Sequence, residues 1–297
     1  MTTVPPGFET WIGRARESED VASERLAASF RAILAPHLAE APDDVCPLGL
    51  HWCLCPDIAG MAELGADGHL AKNLNLPPVP LPRRMWAGGV VEMSGDIRIG
   101  ERVQRLSTIR DITRKQGRSG ELWFVSIDHV YTTGRGCAVR ERQDLVYREA
   151  AVPGAPVAKT AAPLALPVPR TSTMAQEIET TPTLLFRYSA VTFNGHRIHY
   201  DEPYAREVEG YPGLVVHGPM QATLLLNLAA RANGTCRLQL EYRSVAPAIV
   251  GDRLRLCVGA AGGELWSEGP AGQIHMEAKA TVLLPHDTGA VLQPLRN

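Results

Sequence analysis

The sequence feature that most constrains the fold is a helix that is apolar on nearly all of its sides. The segment from Pro219 to Arg231 reads PMQATLLLNLAAR, and proline suits the first turn of a helix. Gly218 precedes this segment, and the Asn-Gly pair that ends at Gly234 marks its end. Because such a helix has no polar face, the rest of the protein must cover it. The chain must therefore fold around this segment.

Strand-like segments follow this helix along the chain. Apolar and polar residues alternate in 238–243, 253–258 and 274–282, a period that is typical of half-buried antiparallel strands. An antiparallel sheet with one apolar face can cover a buried helix. The second half of the chain is therefore predicted to be one helix enclosed by such a sheet.

The first half shows the same order of elements. Residues 18–35 predict a helix that Ser18 caps and Pro36 stops. Residues 90–147 predict strands, with a hairpin turn at the glycines of 134–136. One helix and one antiparallel sheet, occurring twice, predict an α+β fold in which each curved sheet wraps a central helix.

A domain boundary is predicted in the middle of the chain. Residues 150–170 are rich in proline and alanine and have no hydrophobic period, a composition typical of an extended linker. This divides the chain into residues 1–149 and 171–297, and a length of 297 residues agrees with two domains.

Composition and motifs exclude several functions. The formal net charge is -2, so nothing draws the whole chain to nucleic acid or to an anionic membrane. No apolar run is long enough to span a bilayer, and the N-terminus lacks the pattern of a secretory signal. The sequence contains no nucleophile elbow, dinucleotide fingerprint or P-loop, which leaves hydride and phosphoryl transfer unsupported. We expect a cytoplasmic protein that binds neither nucleic acid nor membrane.

The cysteines invite a zinc interpretation, but their spacing argues against it. Cys46, Cys53 and Cys55 lie near His51, and zinc sites use these residue types. One C-x-C without a second pair downstream is not a zinc-ligand spacing, and six cysteines in this chain are too scattered for a disulfide framework. We therefore expect buried free thiols and no metal site.

The entrance of the apolar helix is a candidate site for stabilising negative charge. The first N–H groups of a helix lack internal partners and carry a partial positive charge. Gly218 offers an unobstructed amide at this point, whereas Pro219 has no N–H. The Gly218 amide is therefore a candidate donor to a carbonyl oxygen that becomes anionic during a reaction.

A cluster of polar residues precedes that helix and is the candidate for proton transfer. It consists of Asn194, His196, Arg197, His199 and Asp201. His199 is the natural proton carrier near neutral pH, and Asn194 could hold a water or a substrate oxygen beside it. Asp201 comes before Glu-Pro-Tyr, which favours a role as a helix N-cap. For His196 and Arg197, hydrogen bonding within the turn and contact with substrate both stay open.

Two adjacent arginines follow a proline-rich loop. Arg83 and Arg84 have the bidentate donor geometry that suits phosphate or carboxylate. Paired arginines beside such a loop are also common on solvated surfaces. Recognition of a phosphate or carboxylate and plain surface exposure are the two interpretations.

The polar cluster resembles the motif of the MaoC-like hydratases and dehydratases of the hotdog fold. In that family the motif has the form Asp-x-Asn-Pro-x-His, followed later by a His-Gly pair that opens the central helix. The run from Asn194 to His199 occupies the same frame, and His217-Gly218 matches the later pair. The resemblance implies that His199 is catalytic, that Asn194 stands at the position of the acid and that the Gly218 amide faces the substrate.

The chain is most similar to one subgroup, which comprises hydroxyacyl-thioester dehydratase type 2, itaconyl-CoA hydratase and mesaconyl-C4-CoA hydratase. The segments that carry this similarity are Leu50-His51-Trp52, Asp67-Gly68-His69, 81–89, 115–120 and 143–147. The resemblance implies a double hotdog, in which 1–149 has lost the catalytic motif and 171–297 keeps it. It also implies reversible hydration of an enoyl-CoA, favouring a C5 dicarboxylic thioester, without a cofactor. The residues expected to bind substrate or coenzyme A are Arg83, Arg84, Trp86, His196, Arg197 and His217.

One departure from the family motif leaves the mechanism open. Asn194 cannot ionise, so either His199 handles the proton alone or another acid such as Asp201 takes part. Two other functions stay open beside the C5 thioester hydratase. These are dehydration of 3-hydroxyacyl groups on acyl carrier protein or linear acyl-CoA, and thioester binding without catalysis. The fold pairs its sheets internally, which permits a monomer, and by analogy we expect a homodimer.

Overall fold

Antiparallel strands from both halves of the chain form one continuous sheet. The computed structural model describes residues 4–117, 120–150, 170–260 and 262–284. Its strands are β1 Ala15–Val21, β2 Arg83–Met93, β3 Arg102–Gly117, β4 Gly120–Thr133, β5 Gly136–Arg148, β6 Ser172–Glu179, β7 Leu238–Ser244, β8 Arg253–Gly259, β9 Glu264–Glu268 and β10 Ile274–Val282. Within these residues they form a 10-stranded sheet in the order β1-β3-β4-β5-β2-β7-β10-β9-β8-β6. The predicted hairpin at 134–136 joins β4 to β5.

The two halves of the sheet meet where β2 pairs with β7. Gly88 lies opposite Arg243, and Gly89 lies opposite Tyr242. A side chain at Gly88 would run into the backbone of Tyr242, and one at Gly89 would run into the Arg142 carbonyl and the Tyr242 ring. Two adjacent glycines therefore allow the close approach that joins the halves.

Helices pack on this sheet and on one another. They are α1 Glu24–Leu34, α2 Pro182–Thr192 and α3 Gly218–Asn233. The run Met220–Ala230 of α3 is buried, and α3 packs on β7, β8, β9 and β10. The enclosed helix predicted from the sequence is thus confirmed and is slightly longer than expected. None of the described helices is both long and apolar enough to cross a membrane.

The predicted start of the first helix is wrong. Residues 15–21 form β1, which pairs with β3, and α1 begins only after Ser23, whose Oγ accepts a hydrogen bond from Leu26 N at 3.2 Å. Ser23, not Ser18, is therefore the N-cap. The sequence offers serine followed by acidic residues twice, and only the second copy is followed directly by the apolar spacing of a buried helix face.

One apolar core runs through both halves of the chain. Phe30 and Leu34 of α1 belong to the same buried cluster as Leu185 and Tyr188 of α2 and the leucines of α3. A second cluster lies at the far end of the β3–β4 hairpin, around Trp123. The predicted linker falls almost entirely on 151–169, which lies outside the described residues, so the division into two domains stays a prediction.

The clustered cysteines occupy the core. Cys46, Cys53 and Cys55 are buried free thiols, as expected from the sequence. His51 is also buried, and neither of its ring nitrogens has a hydrogen-bond partner within the described residues. Its ring packs against Trp52 and Tyr131 instead.

Candidate active site

A cavity of about 740 Å³ lies where the two halves of the chain face each other. Asn194, His196, His199 and Gly218 line it from the C-terminal half. The N-terminal half contributes residues from the loop before β2 and from the inner faces of β2, β3, β4 and β5, namely His69, Arg84, Trp86, Arg105, Ile109, Phe124, His129, Glu141 and Gln143. The polar cluster and the helix entrance predicted from the sequence therefore lie on the same cavity.

His199 is held in the protonation state that a base requires. It ends the short helical turn Arg197–His199, and its Nδ1 lies 2.7 Å from the Val215 carbonyl oxygen. Because a carbonyl only accepts, Nδ1 carries the hydrogen and Nε2 keeps a lone pair. Burial lowers the pKa of His199 to about 4, although the hydrogen bond to Val215 opposes this shift. The imidazole is therefore neutral at pH 7.

His217 supports the His199 ring from behind. The two rings are stacked, with centroids 3.6 Å apart and planes inclined by 19°. His217 Nε2 lies 2.8 Å from Ser189 Oγ, and the residue is fully buried and lies outside the cavity lining. Burial lowers its pKa well below the ordinary value. His217 thus acts on the site through the orientation of His199.

The amide of Gly218 opens α3 at the cavity wall. The position of a Cβ on Gly218 would lie 3.5 Å from Trp86 Cε3, so the indole packs directly on the helix entrance. The Ser244 hydroxyl donates to the Trp86 carbonyl at 3.0 Å, and Trp86 Nε1 donates to the Gly88 carbonyl at 3.1 Å. These bonds fix the aromatic wall beside the first, unpaired amides of a buried helix, where a developing anion is stabilised best.

Asn194 shapes the turn that carries the histidines. It follows α2 and Phe193, whose φ of 53° places it in the left-handed region. The Asn194 Oδ1 accepts a hydrogen bond from the His196 N–H at 2.9 Å. One lone pair of the amide oxygen is therefore used within the turn, although the residue lies on the cavity.

Besides His217, three residues that were predicted near the chemistry lie outside the cavity lining. Arg83 Nε donates to Glu209 Oε2 at 2.6 Å, and its guanidinium lies over the Tyr211 ring. Arg197 is ion-paired with Asp201 at 2.7 Å and lies over Tyr204. The Asp201 Oδ1 accepts from Tyr204 N at 3.1 Å, in the manner of the N-cap expected for it.

Arg84, in contrast, reaches the cavity. Burial lowers the pKa of His69 to about 4, and the positive charge of Arg84 is the next largest cause of this shift. Its charge also acts on Asp67 and His196. Consecutive residues of a strand point to opposite faces of the sheet. This explains why the neighbours Arg83 and Arg84 have different surroundings.

The loop Asp67-Gly68-His69, which entered the sequence analysis only as part of the family resemblance, lies against the turn that carries His199. Arg197 N donates to the Asp67 carbonyl at 2.9 Å. Gly68 has a φ of 85°, and a side chain there would overlap the Gly195 carbonyl. The His69 and His196 rings lie 4.1 Å apart. In the sequence, the only local indication was His69 beside the turn glycine Gly68. Such a pair does not predict a contact with Arg197, which lies far away in the chain.

A buried carboxyl group lies deeper in the cavity. Glu141 Oε1 accepts from Trp52 Nε1 at 2.9 Å and from the Tyr242 hydroxyl at 3.5 Å. Both rings contact Trp86 edge-on, with centroids 5.6 Å from it. Burial raises the pKa of Glu141 to about 7, although these hydrogen bonds oppose the shift. Arg105 and His129 add further polar groups to this part of the wall.

Comparisons with known proteins agree on the fold and on the chemistry. The family model described as hydroxyacyl-thioester dehydratase type 2 matches residues 49–250. A mesaconyl-C(4)-CoA hydratase of Chloroflexus aurantiacus is 39% identical over 271 residues, which are 90% of this chain and 95% of that protein.

Solved structures extend the likeness to nearly the whole chain. HtdX of Mycobacterium tuberculosis aligns with a TM-score of 0.63 and 18% identity, over 91% of this chain and 100% of that one. A conserved hypothetical protein of the same organism, described as a double hotdog fold, aligns with a TM-score of 0.51 and 15% identity, over 91% and 96% of the two chains. The predicted double hotdog is thereby confirmed.

Proposed function

Because this chain belongs to the hydroxyacyl-thioester dehydratase type 2 family and is therefore a hydro-lyase, we propose that it reversibly hydrates a C5 dicarboxylic enoyl thioester of coenzyme A. The products in this class are citramalyl thioesters, formed from itaconyl-CoA or mesaconyl-C4-CoA. One observation carries the proposal: a neutral His199 with a free Nε2 lone pair and the Gly218 amide lie on one cavity.

The two groups divide the reaction between them. The Gly218 N–H donates to the thioester oxygen, which becomes anionic when water adds to the β-carbon. Loss of such a donor typically raises the barrier by about 3 kcal/mol. His199 activates the attacking water through its Nε2 lone pair, and acid–base catalysis of this kind contributes roughly a hundred- to ten-thousandfold. Hydration involves no net oxidation or reduction, so the proposed reaction needs no cofactor.

Charged and polar side chains on part of the cavity wall support a substrate with a second carboxylate. Arg84 lines the cavity together with His69 and His196, and its charge lowers the pKa of both histidines. A guanidinium binds a carboxylate in a bidentate manner. Arg105, His129 and Gln143 make the deeper wall polar as well, which is a poor lining for a long alkyl chain. One curated relative, 39% identical over 90% of this chain, is named for a dicarboxylic thioester.

A panel of thioesters followed by mass spectrometry tests this function. The panel contains itaconyl-CoA, mesaconyl-C4-CoA, crotonyl-CoA and a long linear 2-enoyl-CoA. We expect turnover of the dicarboxylic members to exceed that of the others by at least tenfold, and His199→Ala to abolish it. His37→Ala is a suitable control because His37 lies outside the cavity lining. Equal turnover by His199→Ala and the native chain would refute the mechanism.

The second candidate is dehydration of linear 3-hydroxyacyl groups on acyl carrier protein or coenzyme A. The observation that favours it is a patch of apolar side chains on the cavity wall, which includes Ile109, Phe124, Ile127 and Leu145. A cavity of about 740 Å³ also exceeds what a C5 acyl group fills. Preference for the long member of the panel would select this candidate. Tight binding without turnover of any member would indicate a protein that binds thioesters without catalysis.

A further inference from the structure

The proposed reaction needs anionic support that the catalytic turn itself does not supply. If His199 alone took the proton from water, it would become an imidazolium whose Nδ1 partner is only the neutral Val215 carbonyl. Asn194 cannot ionise, and its Oδ1 already accepts from His196 N. Asp201 is bound to Arg197 outside the cavity. The negative charge must therefore come from elsewhere in the described chain.

Carboxylates on the cavity wall are poor candidates for this role. Asp57 is ion-paired with Arg16 and also accepts from Asn75. Glu141 is held by Trp52 and Tyr242, and burial raises its pKa to about 7, so that much of it is neutral near that pH. Neither group bonds to a histidine on this cavity in the structure.

Asp67 is an ionised carboxylate bonded to a cavity histidine. Its Oδ2 accepts from His69 Nδ1 at 2.8 Å, and its Oδ1 accepts from His69 N at 3.1 Å. Burial alone raises the pKa of Asp67, but the hydrogen bonds from His69 outweigh it and lower the value to about 2. Since the carboxylate is ionised, Nδ1 of His69 is the donor and Nε2 keeps the lone pair.

This pair is held against the reacting turn. The Arg197 guanidinium donates to the Ala66 carbonyl at 3.0 Å, and Gly68 packs on Gly195. The His69 ring lies 4.1 Å from the His196 ring, which lies 5.4 Å from the His199 ring. Burial lowers the pKa of His199, and the hydrogen bond to Val215 opposes this shift. The nearby His69 adds to the lowering. Both imidazoles therefore line the same cavity, on either side of His196.

A bound metal ion is the competing interpretation of these side chains. Donor atoms of Asp67, His69 and His196 lie within 4.8 Å of one another, and imidazole plus carboxylate suits several divalent metals. The positive charge of Arg84 acts on all three residues and would repel a dication. The direct hydrogen bond from His69 to Asp67 also occupies the ligand atoms with each other. These facts favour proton transfer over metal binding.

We propose that His69 is a second catalytic base, positioned and made more basic by Asp67, so that the N-terminal half supplies the charge that Asn194 cannot. This inference rests on the proposed hydratase function. The attacking water donates one hydrogen bond to His199 Nε2 and another to His69 Nε2, and it loses only the second of these hydrogens. His69 takes its proton as the oxygen bonds to the β-carbon and the double-bond electrons move to the thioester oxygen. The enolate then collapses, and its α-carbon takes the proton back from His69, so that H and OH have been added.

Asp67→Asn and His69→Ala test this role. An asparagine amide donates toward Nδ1, which forces the hydrogen onto Nε2 and removes the lone pair. We expect kcat to fall by about a hundred- to ten-thousandfold in each variant, with KM within a fewfold of the native value. Free imidazole should restore part of the activity of His69→Ala. A residue that served only the local structure would not respond to imidazole.

The pH profile gives a second readout. The charged and titratable groups that face His69 are Asp67, Arg84, His196 and His199. Loss of the Asp67 carboxylate removes a group that raises the pKa of His69. The residual activity of Asp67→Asn should therefore show an acid limb of kcat/KM at lower pH than in the native chain.

The controls separate this inference from the function on which it rests. Asp43→Asn, an Asp-to-Asn change at an exposed residue outside the cavity lining, should keep full activity. If Asp67→Asn and His69→Ala retain more than a third of the native kcat while His199→Ala is inactive, the role of His69 is wrong and the hydratase stands. A native chain inactive on every thioester refutes the hydratase itself. Activity that chelators abolish and zinc or manganese restores would make these residues a metal site and overturn the inference.

Discussion

The two halves of this chain follow one plan but treat their helices differently. In the C-terminal half, α3 is buried along most of its length and covers β7, β8, β9 and β10. In the N-terminal half, the shorter α1 packs against α2 and the turn Leu50–Cys53. The inner faces of β3, β4 and β5 are left as a cavity wall. The C-terminal half therefore fixes the position of the Gly218 amide at the start of α3, and the N-terminal half provides the space for a substrate.

The largest expected effect tests the C-terminal half. His199→Ala removes the base that is bonded to Val215, and we expect kcat to fall by at least a hundred- to ten-thousandfold. In the native chain the base must be neutral and its pKa is about 4, so kcat/KM should be flat near pH 7 and decline as the pH falls toward 4. Steady-state kinetics with the preferred thioester measures both. An acid limb near pH 6.5 would mean that His199 is not buried as described.

A second experiment separates the two halves where they touch at the site. Gly68→Ala places a side chain against the Gly195 carbonyl and also forces a residue other than glycine into φ 85°. Displacing the loop by about 1 Å can cost roughly a hundredfold in rate, so we expect kcat/KM to fall between ten- and a hundredfold. Gly134→Ala is the control, since that turn has open space around it and no positive φ. Unchanged kinetics in Gly68→Ala would show that the N-terminal loop does not position the site.

What the sequence predicted and what it missed follow from the range of the interactions. The apolar run of α3, its Gly218 entrance and the alternating strands are local patterns, and each appears where it was expected. The helix α2 was not predicted, because the sequence analysis of this region considered only the polar residues that follow it. The bond from Arg197 N to the Asp67 carbonyl joins residues far apart in the chain, and no local period encodes it. Which of two adjacent arginines faces the cavity depends on strand register, which composition does not determine.

Those two arginines give the third prediction. Arg84→Gln should raise KM for a dicarboxylic thioester about tenfold or more, because a hydrogen bond to a charged group is worth about 1.5–3 kcal/mol, and should leave KM for crotonyl-CoA nearly unchanged. Arg83→Gln should leave both KM values unchanged. It breaks a largely buried pair with Glu209, so it should lower the free energy of unfolding by about 2 kcal/mol. An equal rise of KM for both substrates in Arg84→Gln would instead indicate contact with coenzyme A.

The smallest effect compares two buried histidines, one from each half. His217 is bonded to Ser189 and stacked on His199, whereas both nitrogens of His51 lack partners among the described residues. We therefore expect His217→Leu to destabilise the protein and His51→Leu to stabilise it by about 1 kcal/mol in urea unfolding at pH 8. In the folded chain, burial and, to a smaller extent, the nearby His129 lower the pKa of His51 to about 3. In the unfolded chain this pKa is about 6.5.

The effect of His51→Leu should also change with pH. Between pH 6.5 and 3 the unfolded chain holds the His51 proton and the folded chain does not, so stability falls as the pH falls. The gain from His51→Leu should therefore grow when the unfolding is repeated at pH 5. A gain that stays constant with pH would mean that His51 finds a partner in solution. His51 in the N-terminal half would then be stabilised by a hydrogen bond, as His217 in the C-terminal half is by its bond to Ser189.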